Sequence, residues 1–235
     1  MKSILITGHK GTIGSILMDE LSEEFDLKGC DFPEIDLTDY NSVLSALENC
    51  YMVIHLAWNG TSENMQNWEY DQNNSLLFYN IFKGAVEKGI KRVIMASSVH
   101  VCDLYNHSTS TDNSLITVGH YSGPARPYGA NKLFMEALGK MTSQLGPEVI
   151  CIRFGGINKE DRIYPDDIVE NKIWLSKNDC CRLIKSCILA EAVPNKFTII
   201  HAISNNTGKL HDVSNPFNWE PVDDAFKIIA ARALL

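Results

Sequence analysis

The sequence lacks long apolar runs, basic tracts and Cys-x-x-Cys pairs. A helix that crosses a bilayer needs about 20 consecutive apolar residues, so no membrane span is predicted. The net charge of −8 argues against nucleic acid and anionic membrane surfaces as partners. Internal repeats and low-complexity segments are also absent from the sequence, which argues against solenoid architectures.

The cysteine content and the first residues of the chain indicate the cellular compartment. Seven cysteines are present, an odd number, and the chain enters an apolar strand almost at once, which leaves no space for a signal peptide. We therefore expect a cytoplasmic protein whose cysteines are reduced thiols. The pair Cys180 and Cys181 could serve metal or redox chemistry, but core packing is favoured and no metal is predicted.

The most informative feature that is present is a glycine motif, TGHKGTIG over Thr7–Gly14. It follows an apolar segment, residues 2–6, that predicts a buried strand, and it precedes apolar residues at helical spacing. In such a loop Gly8 allows a tight turn, Gly11 lets backbone approach phosphate, and Gly14 lets the helix pack on the strand. The N–H groups at a helix N-terminus attract an anion, so the motif predicts a site for a dinucleotide pyrophosphate.

An acidic residue after the second predicted strand concerns the choice of cofactor. Asp31 lies close to the offset of roughly 20 residues from the glycine motif that is expected of a ribose-binding acid. A carboxylate there accepts hydrogen bonds from ribose hydroxyls and repels a 2′-phosphate, so NAD is predicted rather than NADP. Lys10 in the glycine loop argues in the other direction, because it could meet that phosphate. Asp36 and Leu37 are expected where the next loop passes the adenine.

Strands and helices alternate along the rest of the chain, as in βαβ units. The sequence predicts an α/β fold, a Rossmann-type doubly wound parallel sheet with helices on both faces and a small C-terminal substrate-binding part. Residues 1–155 are expected to form the dinucleotide-binding domain, and residues 156–235 the smaller part, including a late sheet strand near 197–202. The other predicted strands are residues 2–6, 25–30, 51–56, 92–96 and 149–154, and the two main helices after the first are residues 74–88 and 128–145.

A second motif supplies acid–base groups. Tyr128 and Lys132 are one helical turn apart, and Ser98 ends a predicted strand. Transfer of a hydride from an alcohol or hemiacetal carbon requires removal of the hydroxyl proton at the same time. Tyr128 could do this as a phenolate, although a free tyrosine has a pKa of about 10. We expect the charge of Lys132, at position i+4, to lower that pKa.

Together these motifs resemble the extended short-chain dehydrogenases/reductases, the NAD-dependent epimerase/dehydratase family, over nearly the whole chain. Within that family the chain is most similar to uronate dehydrogenases. Beside the glycine motif, the family resemblance rests on Asp31, Asp36-Leu37, His55-Leu56-Ala57, Asn74, Asn80, Ser97-Ser98, Tyr128, Lys132 and Glu136. The subgroup resemblance rests on residues 96–101, 152–156, 174–179, 202–206 and 218–223.

The resemblance implies roles for individual residues. The catalytic residues would be Ser98, Tyr128 and Lys132. The cofactor would be held by Gly8, Lys10, Gly11, Thr12, Ile13, Gly14, Asp31, Asp36, Leu37, Leu56, Ala57, Asn74, Tyr128 and Lys132. The substrate would be contacted by Ser62, Ser98, Val99, His100, Gly156 and Arg162. Val99 stands where uronate dehydrogenases have a sugar-contacting Asn, and Arg162 is the best match to the Arg that meets the substrate carboxylate.

The function implied is that of an NAD-dependent oxidoreductase acting on a sugar or sugar acid. It would oxidise the anomeric hydroxyl to a lactone, with a hexuronate as the first expectation. The short C-terminal part favours a free sugar over a nucleotide sugar, and Val99-His100 replaces the Asp-Glu pair of the family's dehydratases. Two alternatives remain open, a nucleotide-sugar 4-epimerase or reductase and a non-catalytic NAD-binding sensor or scaffold.

Assembly is also implied by the resemblance. Family members commonly dimerise through two long helices, which here would be residues 74–88 and 128–145. The apolar residues of the first helix spread over more than one of its faces, which is more than one sheet contact needs. These residues are Leu76, Phe78, Ile81 and Phe82. We therefore expect a homodimer or a higher homo-oligomer.

Overall fold

Six strands of the described part of the chain form one parallel sheet. A computed structural model describes residues 3–60, 68–103, 114–120 and 122–233. The strands are β1 Ser3–Thr7, β2 Leu27–Cys30, β3 Cys50–His55, β4 Arg92–Ser98, β5 Glu148–Phe154 and β6 Phe197–Ala202. Their order across the sheet is β2-β1-β3-β4-β5-β6, and every pairing is parallel. Because parallel strands need crossover connections, helices must cover the faces of this sheet.

The helices connect the strands and mostly begin at side-chain caps. They are α1 Thr12–Leu21, α2 Tyr40–Ala46, α3 Asn73–Glu87, α4 Pro127–Ser143, α5 Ile168–Ile173, α6 Lys177–Leu189 and α7 Ala225–Arg232, with 3₁₀ turns at Val99–Cys102 and Pro194–Lys196. Asp39, Ser176 and Asp224 each accept a backbone N–H at the start of a helix. Within the described ranges, no helix combines the length and the apolar character needed to cross a membrane.

The core lies on both faces of the sheet. Neighbouring residues of a strand point to opposite faces, so Ile6 and Leu5 belong to different core layers. The layer that contains Ile6 is closed by α1 and α6, and the layer that contains Leu5 is closed by α2, α3 and Met135 of α4. The predicted Rossmann-type doubly wound fold is therefore confirmed.

The topology fixes where a ligand can bind. The first strand, β1, has β2 on one side and β3 on the other, so the crossovers leave it in opposite directions and a crevice opens beyond the carboxyl ends of the strands. Thr7, His55, Ser98 and Phe154 end their strands at this edge. The glycine motif and Ser98, the predicted catalytic serine, are far apart in sequence and are thus brought to one edge of the sheet.

The cysteines are structural. All seven are free thiols. Cys180 and Cys181 lie on α6 and belong to the core layer between this helix and the sheet, and burial raises the pKa of the Cys181 thiol to about 12. A thiol held in its neutral form is a poor nucleophile and a poor metal ligand, which agrees with core packing.

Most of the apolar residues of α3 that suggested a dimer lie inside the chain's own core. Phe78, Ile81 and Phe82 are buried in the chain's own core, against the sheet. The spread of apolar residues around α3 therefore reflects packing within the chain, because this helix contacts the sheet, α2 and α4 at once. The apolar side chains that stay exposed on α3 and α4 are Leu76, Tyr79, Phe134 and Met141.

Candidate active site

The loop after β1 has no room for a side chain at two of its glycines. Gly8 has a φ of +70°, and a Cβ there would lie 2.7 Å from the backbone nitrogen of Ala57. A Cβ on Gly14 would lie 2.3 Å from the carbonyl oxygen of Gly8. Gly11 begins α1 without a side-chain cap, so the first N–H groups of the helix are left for a ligand. The loop residues that line the adjoining cavity are Gly8, Gly11, Thr12, Ile13 and Gly14.

Asp31 lies beside the glycine loop at the end of β2. Its carboxylate accepts hydrogen bonds from the backbone N–H of Lys10, at 2.9 Å, and of Phe32, at 3.0 Å. The ammonium of Lys10 pairs with Glu34 at 2.6 Å. A 2′-phosphate at this position would meet a carboxylate, while the lysine of the loop already has a partner. The argument that Lys10 favours NADP is therefore weakened.

The predicted adenine side is a second cavity, continuous with the glycine loop. Its lining includes Gly8, Lys10, Asp31, Asp36, Leu37, Leu56 and Ala57. The carboxylate of Asp36 accepts hydrogen bonds from the backbone N–H and the hydroxyl of Thr38. Asn80 on α3 donates to the carbonyl oxygen of Leu37 at 2.9 Å. The loop that passes this cavity is thus held from within and from the neighbouring helix.

Ser98, Tyr128 and Lys132 line one cavity together with the glycine loop. Ser98 ends β4, whereas the other two lie near the start of α4. The side chain of Ser98 acts to lower the pKa of the Tyr128 phenol, which puts the two hydroxyls on the same side of the cavity. The Nζ of Lys132 donates to the carbonyl oxygen of Ala96 at 3.0 Å. Two elements that the sequence separates by a loop therefore assemble the predicted catalytic group.

Burial controls the protonation of the predicted catalytic pair. Burial raises the pKa of Tyr128; the side chain of Ser98 acts to lower it, and Asp103 raises it further. Burial also lowers the pKa of Lys132 to about 7, although the nearby Glu136 acts to raise it. The net shift of the tyrosine pKa is therefore upward, opposite to the expected direction, while the ammonium of Lys132 donates to Ala96 and lies 5.6 Å from the centre of the phenol ring.

A buried ionic network supports α4 from below. Glu136 accepts two hydrogen bonds from Arg153, each at 2.8 Å, and one from the hydroxyl of Ser97, at 2.5 Å. All three residues are buried, so their charges and polar atoms must satisfy one another. The network ties α4 to β4 and β5 one turn away from Lys132.

The substrate end of the cavity is lined by His100, Gly156 and Glu170. His100 Nδ1 lies 2.8 Å from Oδ1 of Asp103, which orients its ring. The ring centre of His100 lies 5.8 Å from that of Tyr128. Two of the predicted substrate residues, His100 and Gly156, thus line the cavity that holds Tyr128 and Lys132.

Two other predicted substrate residues, Val99 and Arg162, do not line the cavity. Val99 is buried against Ile173 and Ile203 and does not line the cavity. Its neighbour His100 does, because adjacent residues of a 3₁₀ turn face different directions. Arg162 is exposed on the loop before α5, where its backbone is hydrogen-bonded to the side chain of Asn158. Ser62 lies outside the described residues.

Asn74 and Trp58 have roles at the site that the sequence did not indicate. Asn74, predicted to touch the cofactor, is fully buried, and its amide accepts from and donates to the backbone of Asn59 at 2.7 Å. It therefore anchors the loop after β3. In that loop Trp58 packs edge-on against Tyr128, with ring centres 5.0 Å apart, and lies 4.3 Å from the ammonium of Lys132. In the sequence, only the position of Trp58 directly after Leu56-Ala57 could have indicated that it lies at the site.

The arrangement fits a dinucleotide and a small polar substrate. The bare helix N-terminus suits a pyrophosphate, the acidic residue beside it suits ribose hydroxyls, and the hydroxyl, phenol and amine suit proton transfer at a carbon–oxygen bond. Fold and site together define a dinucleotide-dependent oxidoreductase.

The chain belongs to the NAD dependent epimerase/dehydratase family, whose sequence pattern it matches over residues 4–157. This finding confirms the predicted family and NAD as its cofactor. Among curated proteins the chain is 26% identical to an L-arabinose 1-dehydrogenase (NAD(P)(+)) of Haloferax volcanii, with 97% of this chain and 100% of that protein covered. It is 27% identical to a uronate dehydrogenase of Agrobacterium fabrum, with 96% of this chain and 86% of that protein covered.

Solved structures of the same fold are similar over the whole chain. A uronate dehydrogenase mutant from Agrobacterium tumefaciens, complexed with NAD, superposes with a TM-score of 0.81 at 21% identity, covering 100% of this chain and 89% of that one. A glucuronic acid dehydrogenase from Chromohalobacter salexigens superposes with a TM-score of 0.79 at 21% identity, covering 99% and 89%. At this identity the likeness establishes the fold.

Proposed function

We propose that this protein is an NAD-dependent sugar 1-dehydrogenase, which oxidises the anomeric hydroxyl of a free sugar or sugar acid to a lactone. The observation that carries the proposal is that Ser98, Tyr128 and Lys132 share one cavity with the glycine loop. The relatives named L-arabinose 1-dehydrogenase and uronate dehydrogenase support it, since this chain spans 100% and 86% of their lengths.

The chemistry assigned to the residues follows from their positions. Tyr128 accepts the proton of the anomeric hydroxyl, while Ser98, which lines the same cavity, orients the same oxygen. The carbon–hydrogen bond breaks as a hydride leaves, the carbon–oxygen double bond of the lactone forms, and NAD when bound supplies the hydride acceptor. Lys132 holds the start of α4 to Ala96 and places the only ammonium among the described cavity residues beside the reacting groups. Trp58 excludes water from one side of the phenol ring.

The proposal is tested by NADH formation from a panel of free aldoses, hexuronates, polyols and nucleotide sugars. We expect turnover of free aldoses or their acids and none of polyols or nucleotide sugars, with a lactone as the product detected by chromatography. NAD should be used with a higher kcat/KM than NADP, because a 2′-phosphate would lie against Asp31. Turnover of nucleotide sugars alone would replace the proposal with the epimerase or reductase alternative. Binding of NAD without turnover of any sugar would favour a sensor or scaffold.

We also propose that the protein is cytoplasmic and that it forms a homodimer through α3 and α4. The seven free thiols support a reducing compartment. A groove between the two helices supports the dimer, since it is lined by Tyr79, Phe82, Leu138, Met141 and Leu145.

Light scattering at micromolar concentration should give the mass of a dimer. Replacement of Met141, which is 53% exposed, by Lys should yield a monomer, because a buried unpaired charge destabilises an apolar interface. Lys209→Met, at a half-buried position outside α3 and α4, serves as the control and should leave the dimer intact. A monomer in the unaltered protein would contradict the proposed interface.

A further inference from the structure

A carboxylate lies at the substrate end of the catalytic cavity. Glu170 of α5 lines this cavity with Gly156, His100 and Tyr128. A Cβ built on Gly156 would lie 2.9 Å from Oε2 of Glu170, so the carboxylate is directly over that residue's backbone. α5 is capped at this end by Asp167, which accepts the N–H of Glu170 at 3.0 Å. The negative charge therefore sits where the sugar must lie.

Few positive charges are available to offset it. Lys132 is the only lysine or arginine among the described residues that line this cavity, and it donates to the carbonyl oxygen of Ala96. The segments 61–67 and 104–113 contain no lysine or arginine in the sequence. Arg162, the residue from which a hexuronate was expected, is exposed outside the cavity. Burial raises the pKa of Glu170, with Asp167 adding to the effect and His100 opposing it.

We propose that Glu170 makes the sugar site selective for neutral aldoses over uronates. The inference rests on the proposed sugar 1-dehydrogenase function and specifies its substrate class. The Glu170 carboxylate accepts hydrogen bonds from sugar hydroxyls, which are strong because the acceptor is charged. The same carboxylate repels a second carboxylate held a few ångströms away. A substrate that differs only by carrying a carboxylate is thereby disfavoured.

The matched pair D-galactose and D-galacturonate tests this selectivity, since the two differ only in whether C6 carries a hydroxyl or a carboxylate. The measurement is kcat/KM from NADH formation, with saturating NAD, for the unaltered protein and for Glu170→Gln. We expect the unaltered protein to favour the neutral sugar by about 10-fold or more. Glu170→Gln keeps the size and a hydrogen-bond acceptor but removes the charge, so kcat/KM for galacturonate should rise by about 10-fold. That for galactose should fall, because an amide oxygen accepts a weaker hydrogen bond than a carboxylate does.

A salt titration separates charge from shape. Added salt screens repulsion, so kcat/KM of the unaltered protein for galacturonate should rise with ionic strength, and that of Glu170→Gln should not. Glu160→Gln is the matched control, because Glu160 is exposed on the loop before α5 and does not line the cavity. This substitution should change kcat/KM for neither sugar.

The outcomes distinguish this inference from the function on which it rests. A preference of the unaltered protein for galacturonate, or an equal effect of Glu170→Gln on both sugars, would overturn the role of Glu170 and leave sugar oxidation intact. Absence of turnover with every sugar, in a protein that binds NAD, would overturn both.

Discussion

Tyr128→Phe is expected to lower kcat for sugar oxidation by at least about 10²-fold while NAD affinity is unchanged. The substitution removes the hydroxyl that accepts the substrate proton and keeps the ring, which packs on Trp58 with centres 5.0 Å apart. The loop after β3, which carries Trp58 and lines the cavity, should therefore stay in place. The measurements are steady-state kinetics with the best sugar of the panel and NAD binding by calorimetry.

The control for this variant is Tyr40→Phe. Tyr40 lies on α2, where its hydroxyl donates to Glu87 at 2.6 Å on the surface, and its loss should leave kcat unchanged. The unaltered protein should also gain activity as the pH rises above neutral, because burial raises the pKa of the Tyr128 phenol that must lose its proton. Activity of Tyr128→Phe within a few-fold of the unaltered protein would mean that another group is the base.

Lys132→Met is expected to abolish turnover and yet to stabilise the fold at neutral pH. Burial lowers the pKa of Lys132 from 10.5 to about 7. The lysine therefore binds its proton more weakly in the folded state than in the unfolded state. Where the lysine is charged in both states, this difference lowers the free energy of unfolding by a few kcal/mol. Methionine has a similar length without the charge. After about 1 kcal/mol is subtracted for the lost hydrogen bond to Ala96, a gain of about 2 kcal/mol is expected.

The sign of the pH dependence is the diagnostic part of that prediction. The destabilisation of the folded state by Lys132 has its full size below pH 7 and declines as the pH rises from about 7. It vanishes above 10.5, where the lysine of the unfolded chain is also neutral. The advantage of Lys132→Met in urea unfolding should therefore be largest at or below neutral pH and should disappear in strong alkali. Lys140→Met, on the exposed side of the same helix, should show no such trend. A gain that is independent of pH, or a loss of stability at neutral pH, would contradict the assignment.

Much of the fold followed from local patterns in the sequence. The late strand expected near 197–202 is β6, Phe197–Ala202, and the helix expected over 74–88 is α3, Asn73–Glu87. Apolar periodicity marks such elements because a strand or helix must bury one face or both. The glycine loop was equally legible, since Gly8 and Gly14 occupy positions where a Cβ would collide with backbone.

The protonation of the site was decided by tertiary structure. The spacing of Tyr128 and Lys132 indicated their chemistry, but not that burial would raise one pKa and lower the other. Desolvation depends on every element that packs around a group, and here Trp58 and β4 contribute from distant parts of the chain. The i+4 relation alone predicted the opposite shift for the tyrosine.

The sequence by itself determined the sheet strands, the glycine loop and the pairing of Tyr128 with Lys132, because each depends on neighbours within a few residues or on one repeating pattern. Only the tertiary structure decided which side chains line the substrate end of the cavity. It buried Val99 behind His100, left Arg162 in the exposed loop, and brought Glu170 over Gly156. The reason is geometric: these residues lie in short turns and loops without periodicity, where the direction of a side chain depends on contacts with elements distant in sequence.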